Sequence, residues 1–201
     1  MIKKFLGKIY ILFFRILGWK FEDQKLYDGI YVLPTHTSLW DAPLGLAYRF
    51  RAGTNSITFL TELWYDRFPR IFKSLKFFRT PDLEKSGPSS YVSFFKGLKK
   101  EVRKQYADPR ALCITVCPEG QLGYCDHWKK SFLHLSRILK MPIFIIKIDY
   151  KNKKVSIANP DQPIKTVDRK DIDVMSDIRN LTDKEWAKYP EQVGNIRLER
   201  E

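Results

Sequence analysis

Cysteine, histidine and long apolar runs are all scarce in this chain, and each scarcity removes a class of protein. Cysteine occurs three times, an odd number. Cys113 and Cys117 fall in one expected strand, ~13 Å apart along it, too far to bridge, which points to a reduced compartment. Cys117, Cys125 and His127 follow no compact zinc spacing and lack a fourth ligand, so no metal site is expected. The longest uninterrupted apolar run, Ile9 to Phe14, is far short of the ~20 residues that span a bilayer. No small-residue cleavage pattern follows it, only Gly18-Trp19-Lys20-Phe21-Glu22, which argues against an export signal. The ten glycines are scattered, and none builds a nucleotide-cradling loop.

What the chain does have is positive charge and aromatic surface. Thirty-six Lys and Arg against 23 Asp and Glu give a net charge of +13, enough to imply an anionic partner: a lipid surface, a nucleic acid or a phosphorylated small molecule. Aromatic residues make up 14% and hydrophobic residues 44% of 201 residues, which excludes a disordered basic tail and allows one sizeable core. No recognised DNA- or RNA-binding pattern is present, so nucleic acid is not an expected partner.

Two segments are expected, an amphipathic interfacial helix over 1–22 and a single α/β domain over 23–201. From Ile2 to Trp19 the sequence has no acidic residue. At helical spacing Lys4, Lys8 and Arg15 share a narrow sector, while Phe5, Leu6, Ile9, Leu12, Phe13, Ile16 and Leu17 fill the rest. Such a helix lies in a membrane interface rather than across it, with residues 1–20 docking the protein.

Beyond it, strands and helices alternate. Ile30–Leu33 reads as a buried strand after the Asp28-Gly29 turn. A helix capped by Thr37 or Ser38 follows and ends near Gly53. Ile57–Leu60 is a second strand, 63–75 an aromatic-rich helix, and 79–87 a loop. Ser89 or Ser90 caps a helix carrying Phe94, Leu98 and Val102. Ala111–Val116 is another strand, 128–140 a helix, 143–150 and 155–158 two strands, and 169–181 a last helix. This alternation predicts an α/β fold, a mixed, largely parallel sheet flanked by helices.

The chemistry is concentrated at two turns. His36-Thr37-Ser38-Leu39-Trp40-Asp41 places an imidazole and a carboxylate between a strand and a helix start, and Pro118-Glu119-Gly120 ends a second apolar strand. An alcohol attacking a thioester needs a base beside its hydroxyl and a partner that fixes the tautomer of that base; His36 and Asp41 are of the right types for both. If both strands end on one edge of the sheet, the two turns face one crevice, where open α/β sheets bind their ligands.

On these residues the chain resembles the PlsC-like glycerolipid acyltransferases, the 1-acylglycerol-3-phosphate and lysophospholipid O-acyltransferases. Pro34–Asp41 is similar to the family's first block, with its HX4D pattern. Val116–Gly120 is similar to its third, Trp128–Phe132 to the basic and aromatic stretch that follows, and Pro142–Tyr150 to its apolar strand.

The resemblance implies that His36 is the catalytic base and Asp41 its orienting partner, with Glu119 and Gly120 shaping the acceptor site. It implies no cofactor, an acyl-CoA or acyl carrier protein donor, a lysophospholipid acceptor, and a peripheral or monotopic enzyme of phospholipid biosynthesis at a cytoplasmic membrane face. Gln121 and Leu122 stand where the family has Thr-Arg, whose Arg helps hold the acceptor's phosphate. Arg79, Lys129 and Lys130 are the substitute cations expected at that place. Otherwise the acceptor is a different lysolipid, or the chain is a lipid-binding homologue without turnover.

Overall fold

The computed structural model describes residues 2–61, 65–75, 77–80, 94, 97–98, 100–102, 104, 110–125 and 127–194, the side chains of 2–6 and 61 excepted. Its centre is a short strand, β2 (Gly29–Val32), in which every residue is buried. Full burial on both faces explains why Ile30, Tyr31 and Val32 read as a continuous apolar run with no alternation. On one side β2 pairs in parallel with β5 (Leu112–Val116), and on the other with β6 (Ile143–Asp149).

Four further strands complete the sheet, and helices connect and cover them. The N-terminal helix α1 (Ile2–Ile16) leads into β1 (Lys20–Phe21), α2 (Asp41–Ala52) joins β2 to β3 (Asn55–Thr61), and α3 (Pro69–Ser74) joins β3 to β4 (Phe77–Thr80). With β7 (Lys154–Ile157), the seven strands lie in the order β1-β7-β6-β2-β5-β3-β4. All neighbouring pairs are parallel except β6 and β7, which are antiparallel and joined by the polar 150–153 turn. The sheet is thus mixed and largely parallel, as the alternation of elements predicts.

Both faces are covered, which a parallel sheet requires. Phe14 of α1 and Leu44, Ala47 and Tyr48 of α2 pack against Tyr31, Phe144, Ile146 and Val155 on one side. On the other, Leu133 of α4 (Ser131–Leu139) and Val174 and Ile178 of α5 (Asp171–Asn180) pack against Ile30, Val32, Ile114 and Ile143, together with Leu98 and Val102.

Several local expectations change. Helix α2 starts at Asp41 with Trp40 at the cap position and no side-chain cap; Ser38, the expected cap, instead accepts from the Trp40 N–H at 3.2 Å and the Asp41 N–H at 3.0 Å, through its hydroxyl and its carbonyl. Of the helix expected over 63–75, residues 63 and 64 lie outside the described residues; Tyr65 is helical, a turn follows, and helix resumes over Pro69–Ser74, because proline disfavours helical geometry at Phe68 and sits well at a helix start. Arg79 and Thr80, expected in a loop, extend β4 beside Leu60 and Thr61. The N-terminal helix, expected over 1–22, ends at Ile16; Gly18 takes φ +87° and turns the chain into β1, Lys20–Phe21. The helix expected from 128 begins at Ser131. Of the expected 81–87 loop and the Ser89 or Ser90 cap, all lies outside the described residues, whereas Phe94, Leu98 and Val102 are helical.

Candidate active site

Sheet register brings the two turns together. Val32, the last residue of β2, is paired with Val116, the last of β5, and the Leu33 N–H continues the ladder to the Val116 carbonyl at 2.9 Å. The chain therefore leaves both strands at one edge and side by side. His36 follows the first strand by four residues and Glu119 the second by three.

The imidazole and carboxylate meet. His36 Nδ1 lies 2.9 Å from Asp41 Oδ2, and the Ser38 N–H donates to the same oxygen at 3.1 Å. A carboxylate can only accept, so Nδ1 carries the proton and Nε2 of the neutral ring has a free lone pair. The His36 side chain is 20% exposed and that of Asp41 only 3%, so the imidazole can be reached while its carboxylate partner is shielded. The other carboxylate oxygen, Oδ1, accepts from the Tyr150 hydroxyl at 2.6 Å.

Glu119 lies beneath this turn. Its Oε1 accepts the Thr35 N–H at 2.7 Å and, more weakly, the His36 N–H at 3.4 Å, while Oε2 is buried without a partner. Burial pushes its carboxyl above the ordinary range, against the opposing pull of these backbone donors and of His36. Thr35 needs such a clamp. Its φ is +63°, a left-handed conformation that costs a β-branched residue about 1–2 kcal/mol. Cys117, half-buried, also lies close by, and its thiol is pushed well above its usual value, first by desolvation and then by the charges of Glu119 and Asp41.

The expected headgroup residues are placed unequally. Gly120, at φ +66°, is crossed by Lys129: a Cβ on Gly120 would meet the Lys129 Cε at 2.9 Å and its Nζ at 3.0 Å. The Lys129 N–H donates to the Pro118 carbonyl at 2.8 Å, so this lysine belongs to the Pro-Glu-Gly corner and its side chain is exposed there. Lys130 is half-exposed at the cap position of α4.

Arg79 stands apart. Strand β4 is three places from β2, about 14 Å across the sheet. Its guanidinium forms a two-pronged pair with Asp66, at 3.0 and 2.8 Å. Gln121 donates to the Tyr124 carbonyl at 2.7 Å, and Leu122 is exposed. Among the described residues no group of three His, Cys, Asp or Glu is gathered to hold a metal ion.

Two site contacts lie beyond sequence reasoning. Tyr150 closes the Apolar Pro142–Tyr150 run, and nothing in that run marks its hydroxyl as Asp41's partner. The Glu119 clamp on Thr35 likewise depends on a strand pairing. Compared with models of known protein families the chain matches none, and no curated protein matches it.

Proposed function

We propose that this protein is a membrane-associated acyltransferase that moves a fatty acyl group from acyl-CoA or acyl carrier protein to the hydroxyl of a lysophospholipid, with 1-acylglycerol-3-phosphate, giving phosphatidic acid, as the leading acceptor. The observation that carries this reading is the Nδ1-to-Asp41 bond on a partly exposed histidine beside the Pro-Glu-Gly corner. In the reaction His36 Nε2 takes the acceptor's hydroxyl proton as its oxygen attacks the thioester carbonyl. The carbon–sulfur bond of the tetrahedral adduct then breaks, and the imidazolium returns the proton to the leaving thiolate. Asp41 holds the ring and stabilises its charged form. Lys129 supplies positive charge for the acceptor's headgroup, with Lys130 as the next candidate.

Membrane docking is the second part of the proposal. No helix among the described residues is long and apolar enough to cross a membrane. On α1, Phe14 enters the core while Ile9, Leu12, Phe13 and Ile16 stay exposed, the last at 76%. Leu39 and Trp40, within four residues of His36, are exposed too, and the Trp40 ring meets that of Phe14 edge-on at 6.3 Å. Exposed apolar side chains thus lie both on α1 and at the His36 turn, which would let both dock against a bilayer that holds the acceptor.

A second reading, an acceptor without a phosphomonoester, is favoured by the pairing of Arg79 with Asp66. Thioester consumption measured against a panel of lysolipids separates the two, since the first predicts preference for 1-acylglycerol-3-phosphate. His36→Ala abolishes turnover under either; wild-type turnover in that variant would overturn the mechanism.

A further inference from the structure

We propose that Tyr150 is a positioning residue of this site, holding the Asp41 carboxylate in the one orientation that presents Oδ2 to His36. The inference rests on the acyltransferase reading for its kinetic consequence but not for its structural one.

Asp41 is 2% exposed, so each of its oxygens needs a donor from the protein. Oδ2 is supplied locally, by the His36 ring at 2.9 Å and the Ser38 N–H at 3.1 Å. Oδ1 receives the Tyr150 hydroxyl, from 109 residues further along the chain, in the shortest of the three bonds at 2.6 Å. With donors on both oxygens the carboxylate cannot turn about its last side-chain bond without breaking one of them. With only the Oδ2 donors, a rotated or water-bridged carboxylate competes with the His36 bond.

Tyr150 is itself held in place. It follows β6 directly, its N–H donates to the Trp186 carbonyl at 3.0 Å, and its ring meets Trp19 edge-on at 5.2 Å. Burial first, and then the Asp41 charge, push its phenol above the ordinary value, so the hydroxyl stays a donor across the neutral range. Trp19 lies just beyond the turn that ends α1, which places the aromatic support of this hydroxyl next to the proposed docking helix.

The test compares wild type with Tyr150→Phe, which keeps the ring, its Trp19 contact and its backbone bond. Two readouts are taken. The first is kcat and KM for thioester-dependent acylation of a lysolipid in mixed micelles. The second is the proton resonance of the His36 Nδ1–H, assigned by its loss in His36→Ala. The proposal expects kcat to fall about 10- to 100-fold, the range for losing one charge-assisted hydrogen bond, with KM changed by less than about threefold. It also expects the Nδ1–H resonance to shift upfield or broaden by exchange.

An unmoved resonance overturns the proposal whatever happens to turnover, because the carboxylate would then be held without the hydroxyl. A moved resonance in a protein that consumes no thioester supports the positioning role and refutes the acyltransferase reading. A moved resonance with kcat within twofold of wild type overturns the kinetic role.

Discussion

Replacing Glu119 tests how the His36 turn is held. In Glu119→Ala the buried Thr35 N–H loses its 2.7 Å acceptor, a charge-assisted bond of about 1.5–3 kcal/mol. Part of that loss is offset, because the substitution also removes the partnerless buried Oε2, worth about 1 kcal/mol. The net expectation is a destabilisation of about 0.5–2 kcal/mol, or a fall in Tm of about 1–8 °C for a chain of this size. Thr35, at φ +63°, would relax once released and carry His36 with it. A displacement of about 1 Å is enough to lower kcat about 100-fold. Urea unfolding and thioester turnover measure the two effects.

Glu119→Gln separates the clamp from the charge. Its amide oxygen can still accept the Thr35 N–H, so turnover should fall much less than in the alanine variant. The pH dependence has a definite sign. Burial raises the folded-state pKa of Glu119 above the ordinary carboxyl value, so the folded protein holds this proton more tightly than the unfolded chain does. Wild-type stability from this group is then complete below the unfolded pKa and is lost as pH rises through the folded one. The stability of wild type relative to the glutamine variant should therefore decline over that interval and level off above it. A rising difference, or an alanine variant within about 0.5 kcal/mol of wild type with full turnover, would refute the clamp.

Other expectations follow from packing and exposure. In Gly29→Ala the new Cβ would fall 2.6 Å from two ring carbons of Phe144 and 3.0 Å from the Pro142 carbonyl, so urea unfolding should show a loss of about 1–3 kcal/mol; an unchanged midpoint would show that β2 and β6 can part freely. Burial pushes the Cys113 thiol up to about 12, so it should not be alkylated by iodoacetamide at pH 8 until the protein unfolds; rapid labelling of Cys113 in the folded protein would contradict its burial. Replacing the exposed Leu12, Phe13 and Ile16 together by glutamate should release the protein from anionic liposomes in a sedimentation assay without unfolding it, and undiminished binding would remove α1 as the docking element. Deleting α1 is a poorer test, because Phe14 is part of the core.

The contrast between legible and illegible features has a physical basis. Strands β2, β5 and β6 lie in the middle of the sheet, and burial of nearly every residue on both faces forces apolar runs that any reading of the sequence detects. Strands β1 and β4 lie at the edges. Lys20–Phe21 has only two residues and Phe77–Thr80 runs into Pro81, so neither carries a pattern of its own; each is a strand because a neighbour offers it a ladder. Residues close in sequence show the same divide. His36 and Asp41 are five apart and their contact is local, whereas Glu119 reaches Thr35 across 84 residues only because Val32 is in register with Val116. Arg79 shows the limit in the other direction: its charge was visible in the sequence, its engagement by Asp66 was not.

The account depends most on His36 and Asp41 acting as one unit, and a double-mutant cycle on kcat/KM for acyl transfer measures that directly. His36→Ala and Asp41→Asn should each lower kcat/KM by about 10³-fold or more, and the double variant should be scarcely worse than His36→Ala alone, since a carboxylate cannot orient a ring that is missing. Losses that multiply in the double variant, or an Asp41→Asn variant as fast as wild type, would contradict it.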